Sequence, residues 1–210
     1  MADLKIGKIT LGMCQTNCYF VYREGSNKVI FFDPADQGAY LYKALKQKGF
    51  EVSAIFLTHG HFDHIWGAQE LRGLSGAKIY AWEEEADLLS DSGLNVSAGA
   101  GRPCTLKVNG FYKDGDEITV EDIKFKLIGT PGHTKGSCCF YFEEANILVS
   151  GDTLFEGSVG RSDFPTGSGS ELIRSIKDKL LDLPEDTLVY PGHGGSTTIK
   201  DEKEFNPFLA

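Results

Sequence analysis

An α/β fold, two packed sheets with helices on the outside, is predicted by three features of this sequence. Short apolar runs followed by stretches of helical spacing occur in two similar halves, and that order places helices over paired sheets. Glycine and polar clusters interrupt the runs throughout, with 25 glycines in 210 residues, so the elements are short and the chain is loop-rich. No stretch has the composition of an interdomain linker, and a chain of this length buries roughly two thirds of its unfolded surface as one compact unit, so residues 1–210 are read as one domain.

Residues 4–10, 18–22 and 29–32 read as strands, the last two separated by a turn at 24–28. Residues 39–48 have helical spacing and stop at Gly49. Residues 52–57 form a buried strand, 64–72 a helix, 78–81 a strand and 83–89 a short helix. Gly, Ser and Asn are too frequent in 90–103 for a regular element. Strands are expected at 106–108, 117–120, 124–128, 137–142 and 147–150, with a polar turn at 143–146. The clearest amphipathic helix is 170–181, where Leu172, Ile173, Ile176 and Leu180 recur near helical period, and 188–190 is a last strand.

A net charge of −9 argues against a long nucleic-acid backbone as partner, because such binding needs a basic face. The amino terminus lacks a basic segment followed by an apolar run, and no window reaches the ~18 apolar residues of a membrane span, so a cytoplasmic protein is expected. The five cysteines, Cys14, Cys18, Cys104, Cys138 and Cys139, are odd in number and form no paired framework. They are expected to be reduced, with Cys138 and Cys139 on opposite faces of a strand.

All five histidines lie in contexts that suit metal ligands: THGHFDH at 58–64, TPGHT at 130–134 and PGHGG at 191–195. If the chain leaves its strand still extended, His59 and His61 share a face, and the turn into a helix swings Asp63 and His64 toward a neighbouring position. His133, His193 and Asp152 each follow an apolar strand at the start of a loop, so they can converge on one sheet edge. Five imidazoles and two carboxylates suffice for two borderline transition metals about 3.5 Å apart. One isolated histidine is more often an ordinary core or surface residue. Four ligand-type residues within six positions, with two more glycine-flanked histidines, are a different matter.

This pattern resembles the metallo-beta-lactamase superfamily and, within it, the glyoxalase II-like hydrolases, from Asn17, Cys18 and Tyr19 to Asn206, Pro207 and Phe208. The resemblance implies an αββα sandwich of two mixed sheets packed face to face. It implies a first metal held by His59, His61 and His133, a second by Asp63, His64 and His193, and Asp152 between them. Asp33, before Pro34, is similar to the acidic residue that supports the site in this superfamily, and is otherwise a turn former. Gly160, Arg161, Ser162 and Asp163 are similar to the family's Gly-Arg segment, where Arg161 either steadies a substrate carboxylate or packs its loop. Phe155, Arg161, Phe164 and the 90–103 loop are candidates for a small substrate pocket.

The expected activity is thioester hydrolysis by a metal-bridging hydroxide, with Asp63 orienting the water and the metals stabilising the oxyanion. Imidazole and carboxylate ligands favour zinc, with iron or manganese able to occupy the same set. Full-length glyoxalase II has a further carboxyl-terminal helical region, which has no counterpart before Ala210, so glutathione selectivity is expected to be weak. The alternatives are another hydrolase of the superfamily, a lactonase or beta-lactamase, a mononuclear iron persulfide dioxygenase, a nuclease, and a structural metal module.

Overall fold

The computed structural model describes residues 3–210. Its first sheet has the order β1 (Leu4–Leu11), β2 (Thr16–Arg23), β3 (Lys28–Phe32), β4 (Glu51–Phe56), β5 (Lys78–Trp82), β6 (Gly110–Tyr112). The β1–β2–β3 pairs are antiparallel and the β3–β4–β5–β6 pairs parallel. The second sheet is built from β7 (Glu117–Val120), β8 (Ile123–Gly129), β9 (Cys138–Phe142) and β10 (Ile147–Gly151), an antiparallel meander. A two-stranded hairpin, β11 (Leu154–Phe155) and β12 (Ser158–Val159), follows. Beyond it, β13 (Leu188–Pro191) joins β10 in parallel, and β14 (Thr197–Thr198) closes the edge.

Parallel pairs need crossovers, and here these are helices. The helix α1 (Gly38–Gln47) connects β3 to β4; α2 (Phe62–Ile65) and α3 (Ala68–Ser75) connect β4 to β5. After β5 comes α4 (Ala86–Ser90), α5 (Gly169–Ser175) leads toward β13, and α6 (Ile199–Phe205) packs after β14. The result is an αββα sandwich.

Strand alternation divides the apolar residues among three layers. Tyr19, Val21, Ile30, Phe32, Phe56, Phe125, Phe140 and Phe142 face each other between the sheets. Cys18, Phe20, Phe31, Leu41, Leu45 and Leu71 pack the first sheet against its helices. Cys139, Leu148, Leu172, Ile176 and Leu180 do the same for the second. Cys138 lies in the central layer and Cys139 in the outer one, on opposite faces as expected, and all five cysteines are free.

Three expectations need correction, and some elements lie outside what the sequence predicted. The helix expected at 64–72 is two helices, because Gly67 turns away to donate its N–H to Pro34 O at 2.9 Å. Residues 106–108 are not a strand: Leu106 N–H bonds Leu89 O, and pairing with β5 begins only where Asn109 bonds Ile79 through both backbone and side chain. The amphipathic helix 170–181 is α-helical only to Ser175 and then widens into a π turn, Ile176–Leu180, with Leu181 N–H bonded to Ile176 O. Its Leu172, Ile176 and Leu180 are fully buried, while Ile173 is only partly so. The β11–β12 hairpin, β14 and α6 were not expected. Their runs are too short or too polar for a periodic signal, and α6 is held by Thr198, whose hydroxyl accepts Asp201 N–H, and by buried Glu202. Among the described residues, no helix is long and apolar enough to cross a membrane.

Candidate metal centre

The carboxyl ends of β3, β4, β8, β10 and β13 open onto one edge of the sandwich, and each delivers a polar side chain there. Two backbone bonds join the sheets at that rim: Cys138 N–H to Thr58 O at 2.8 Å and Asn17 N–H to Gly192 O at 2.7 Å. The histidine loops thus leave rigid strands at fixed separation.

His59, His61 and His133 form a buried three-histidine cluster. His133 Nε2 lies 2.9 Å from His61 Nδ1 and 3.2 Å from His59 Nε2. The outer nitrogens of two rings are held: His133 Nδ1 donates to Arg161 O at 2.7 Å, and His59 Nδ1 lies 3.1 Å from Thr58 Oγ1. Thr58 Oγ1 itself donates to Asp33 Oδ2 at 2.6 Å, which leaves its lone pairs for the His59 N–H. Both tautomers therefore turn the Nε2 lone pair inward.

Asp63, His64 and His193 form a mixed cluster. His193 Nε2 is 3.3 Å and His64 Nε2 is 3.7 Å from Asp63 Oδ2, which also accepts from Thr16 Oγ1 at 3.0 Å. Behind the rings, His64 Nδ1 bonds Asp33 Oδ2 at 3.0 Å and His193 Nδ1 bonds Cys14 O at 3.1 Å. Asp33 also accepts Thr58 N–H at 2.8 Å, so this one residue braces side chains of both clusters. Its backbone is left-handed, φ 50°, a conformation Asp tolerates better than most residues.

Asp152 lies between the clusters. Its Oδ1 is 3.4 Å from His64 Nε2, and its Oδ2 is 3.4 Å from His193 Nε2 and 3.6 Å from His133 Nε2. Asp152, His59 and His64 also make a third compact donor group. Gly192 leaves room for this approach: a Cβ there would lie 2.2 Å from Asp152 Oδ1.

The donor atoms fit divalent cations. His64 Nε2 and Asp152 Oδ1 are buried, 3.4 Å apart, and neither has a hydrogen-bond partner in the described structure. The inward Nε2 lone pairs of His59 and His133, 3.2 Å apart, repel each other unless a cation or proton lies between them. Proton affinities in the metal-free protein divide along the same line. Burial, reinforced by His133, pushes His61 down to about 3, and burial likewise lowers His59 and His133. Burial also opposes protonation of His64 and His193, but Asp152 and Asp63 outweigh it, raising His64 and holding His193 at about 9. In turn, His64 and His193 overcome burial to hold Asp63 and Asp152 below the ordinary carboxylate range.

Two of the expected pocket residues lie against the clusters, and Arg161 takes the loop-packing alternative. Phe164 packs edge-on to His61 at 5.6 Å and Phe155 to His193 at 6.2 Å between ring centroids. Arg161 pairs with Asp163 at 2.8 Å and lies 3.6 Å over the Phe164 ring, so its side chain packs the loop. The 90–103 loop is tied to the centre through Asn95 O, which accepts Phe62 N–H.

Sequence reasoning missed Thr16, Thr58 and Glu85. Glu85, fully buried, accepts Gly60 N–H at 2.7 Å, Gly136 N–H at 2.9 Å and Thr134 Oγ1–H at 3.0 Å. Burial pushes its carboxyl up to about 7 despite these donors. It stands three and four residues before Leu88 and Leu89, which are buried, so its helical face was a usable signal.

Known proteins share this architecture. The crystal structure of BLEG-1 B3 metallo-beta-lactamase superposes with a TM-score of 0.93 at 38% identity, covering 98% of this chain and 99% of that one. A crystal structure of TTHA1623 in a di-iron-bound form has a TM-score of 0.86 at 33% identity, covering 97% and 100%. The hydroxyacylglutathione hydrolase GloC of Haemophilus influenzae is 34% identical over 93% of each chain. The family model described as "Metallo-beta-lactamase superfamily" matches residues 11–193, which include the seven histidine and aspartate residues of the centre, and the chain belongs to that superfamily.

Proposed function

We propose that this protein is a dinuclear metal-dependent hydrolase of activated acyl bonds. The observation that carries the reading is the position of Asp152, whose carboxylate lies within 3.6 Å of nitrogens from both clusters. In this reading His59, His61 and His133 hold one metal, Asp63, His64 and His193 the other, and Asp152 serves both. The donor set suits zinc, iron or manganese. Bound there, divalent cations supply Lewis acidity toward a carbonyl oxygen and bring coordinated water toward neutral pKa. The chain's own part is orientation. Thr16 holds one oxygen of Asp63, leaving the other to accept a hydrogen bond from the attacking water. Phe155 and Phe164 shield the two clusters on their outer sides.

Acyl hydrolysis in this broad sense has more support than thioester hydrolysis alone. Similarity to a B3 metallo-beta-lactamase is 38% across both whole chains, against 34% for GloC. A strained lactam and a thioester both offer an electrophilic carbonyl with a competent leaving group, so the same centre suits either. The complete mixed cluster supports two metals over the single iron of a persulfide dioxygenase.

The test is a substrate panel on metal-quantified protein: lactoylglutathione, a thioester without glutathione, a lactone and a β-lactam, with oxygen uptake followed on glutathione persulfide. Acyl-bond turnover at two metals per chain, without oxygen uptake, is expected. Oxygen consumption at one iron per chain would replace this reading with the dioxygenase one. Preference among the acyl substrates decides between thioesterase and lactamase.

A further inference from the structure

Glu85 lies outside both clusters, on the turn before α4, and the chemistry above does not use it. Its two carboxylate oxygens nevertheless reach the two loops that carry the three-histidine cluster. Oε1 accepts Gly60 N–H at 2.7 Å, and Gly60 is the residue between His59 and His61. Thr134, the residue after His133, donates its hydroxyl to both oxygens at 3.0 Å. Oε2 accepts Gly136 N–H at 2.9 Å from the same loop. The fit leaves no room for a larger neighbour: a Cβ on Gly136 would lie 2.4 Å from Glu85 Oε2, and one on Gly60 would lie 2.8 Å from Leu88 and Leu89. A fully buried carboxylate is costly, and one used this way replaces water with donors from two separate segments.

We propose that Glu85 is the positioning residue of the three-histidine cluster, tying the loop of His59 and His61 to the loop of His133 and setting their separation. The inference rests on the ligand assignment proposed above. Metal ligands are sensitive to the groups that orient them, and loss of such a group typically costs about 10- to 100-fold in metal affinity. Here one carboxylate orients three ligands through their neighbours. Gln at this position keeps the volume but turns an amide NH2 toward one of two backbone N–H donors, so it retains part of the strap.

The experiment is chelator competition with Co(II) and Zn(II) on the full chain, resolving two binding steps, for wild type, Glu85→Ala, Glu85→Gln and Thr134→Val. Near-ultraviolet circular dichroism checks folding, and His133→Ala identifies the step belonging to the three-histidine cluster. Glu85→Ala is expected to weaken that step by about 10-fold or more and the other by less than about threefold, with Glu85→Gln and Thr134→Val intermediate. Wild-type affinity at that step in folded Glu85→Ala would overturn the proposal. Should Glu85→Ala not fold, wild-type affinity in the isosteric Glu85→Gln and in Thr134→Val overturns it equally. If wild type binds fewer than two metals, or His133→Ala leaves both steps intact, it is the ligand assignment that fails.

Discussion

Histidine supplies most of both side-chain clusters, yet the fold drives the two groups of imidazoles in opposite directions. His59, His61 and His133 are buried among one another, and burial keeps them neutral. His64 and His193 face Asp63 and Asp152, whose charges outweigh burial and hold protons on the rings in the metal-free protein. Position relative to carboxylates, more than residue type, thus sets what each cluster must give up to bind a cation. The supports differ in the same way. A buried carboxylate, Glu85, straps the first cluster, whereas a neutral amide, Asn17, clamps the His193 loop.

The largest effect is expected where the clusters meet. Asp152→Asn removes a charge near both, so both metal affinities and the hydrolytic rate should fall, the rate by on the order of 10³-fold. His193→Ala should instead empty the mixed cluster and spare the three-histidine one. Metal analysis by mass spectrometry beside steady-state kinetics checks this. Two full equivalents in Asp152→Asn would remove Asp152 from the shared position.

Acidity should separate the clusters. With His61 at about 3, the three-histidine cluster needs no deprotonation to bind metal at pH 7, whereas His193 at about 9 and the raised His64 must each lose a proton. Metal affinity of the mixed cluster should therefore rise with pH between 6 and 8 by up to about 100-fold per unit, against little change for the other. Calorimetry in buffers of different ionisation enthalpy counts the protons released at each step. Equal proton release at both steps would break the contrast.

Sharpening the comparison of supports, Asn17→Ala removes an amide that donates to Pro191 O at 3.0 Å and Gly194 O at 3.1 Å on either side of His193. Pro191 O keeps the Tyr19 hydroxyl as a donor at 2.9 Å, so only Gly194 O loses its partner, which should cost about 1–2 kcal/mol of stability, roughly 2–8 °C in Tm. Metal loss should be confined to the mixed cluster, the mirror image of Glu85→Ala. Thermal melts with and without chelator separate the two contributions.

The convergence of these histidines and aspartates was legible in the sequence because each stands beside glycine or another member of the set near a strand end, a local pattern that survives without coordinates. Their supports were not. Glu85 sits in a run of three glutamates that opens the expected short helix 83–89 as a charged first turn, and only its spacing to Leu88 and Leu89 hinted at burial. Thr58 and Thr16 act across 25 and 47 residues, on Asp33 and Asp63, distances over which periodicity says nothing. The fold shows the same division. Strands written as apolar runs were recovered, most of them buried along their length, while the β11–β12 hairpin is tied to α6 across 45 residues, Gly157 N–H bonding Glu202.

Arg161 gives the smallest expected effect and a direct test of how this region serves the first cluster. Its carbonyl accepts from His133 Nδ1, whereas its guanidinium is about half exposed, paired with Asp163 and stacked on Phe164. Truncation to alanine keeps the carbonyl and removes only the packing, and exposed ion pairs contribute little. Arg161→Ala should leave affinity at the three-histidine cluster unchanged, lower Tm by about 2 °C or less and change kcat/KM by under about threefold. A rise of tenfold or more in KM confined to anionic substrates would instead make the guanidinium a substrate contact, because a loop-packing side chain has no means of telling a carboxylate from its ester.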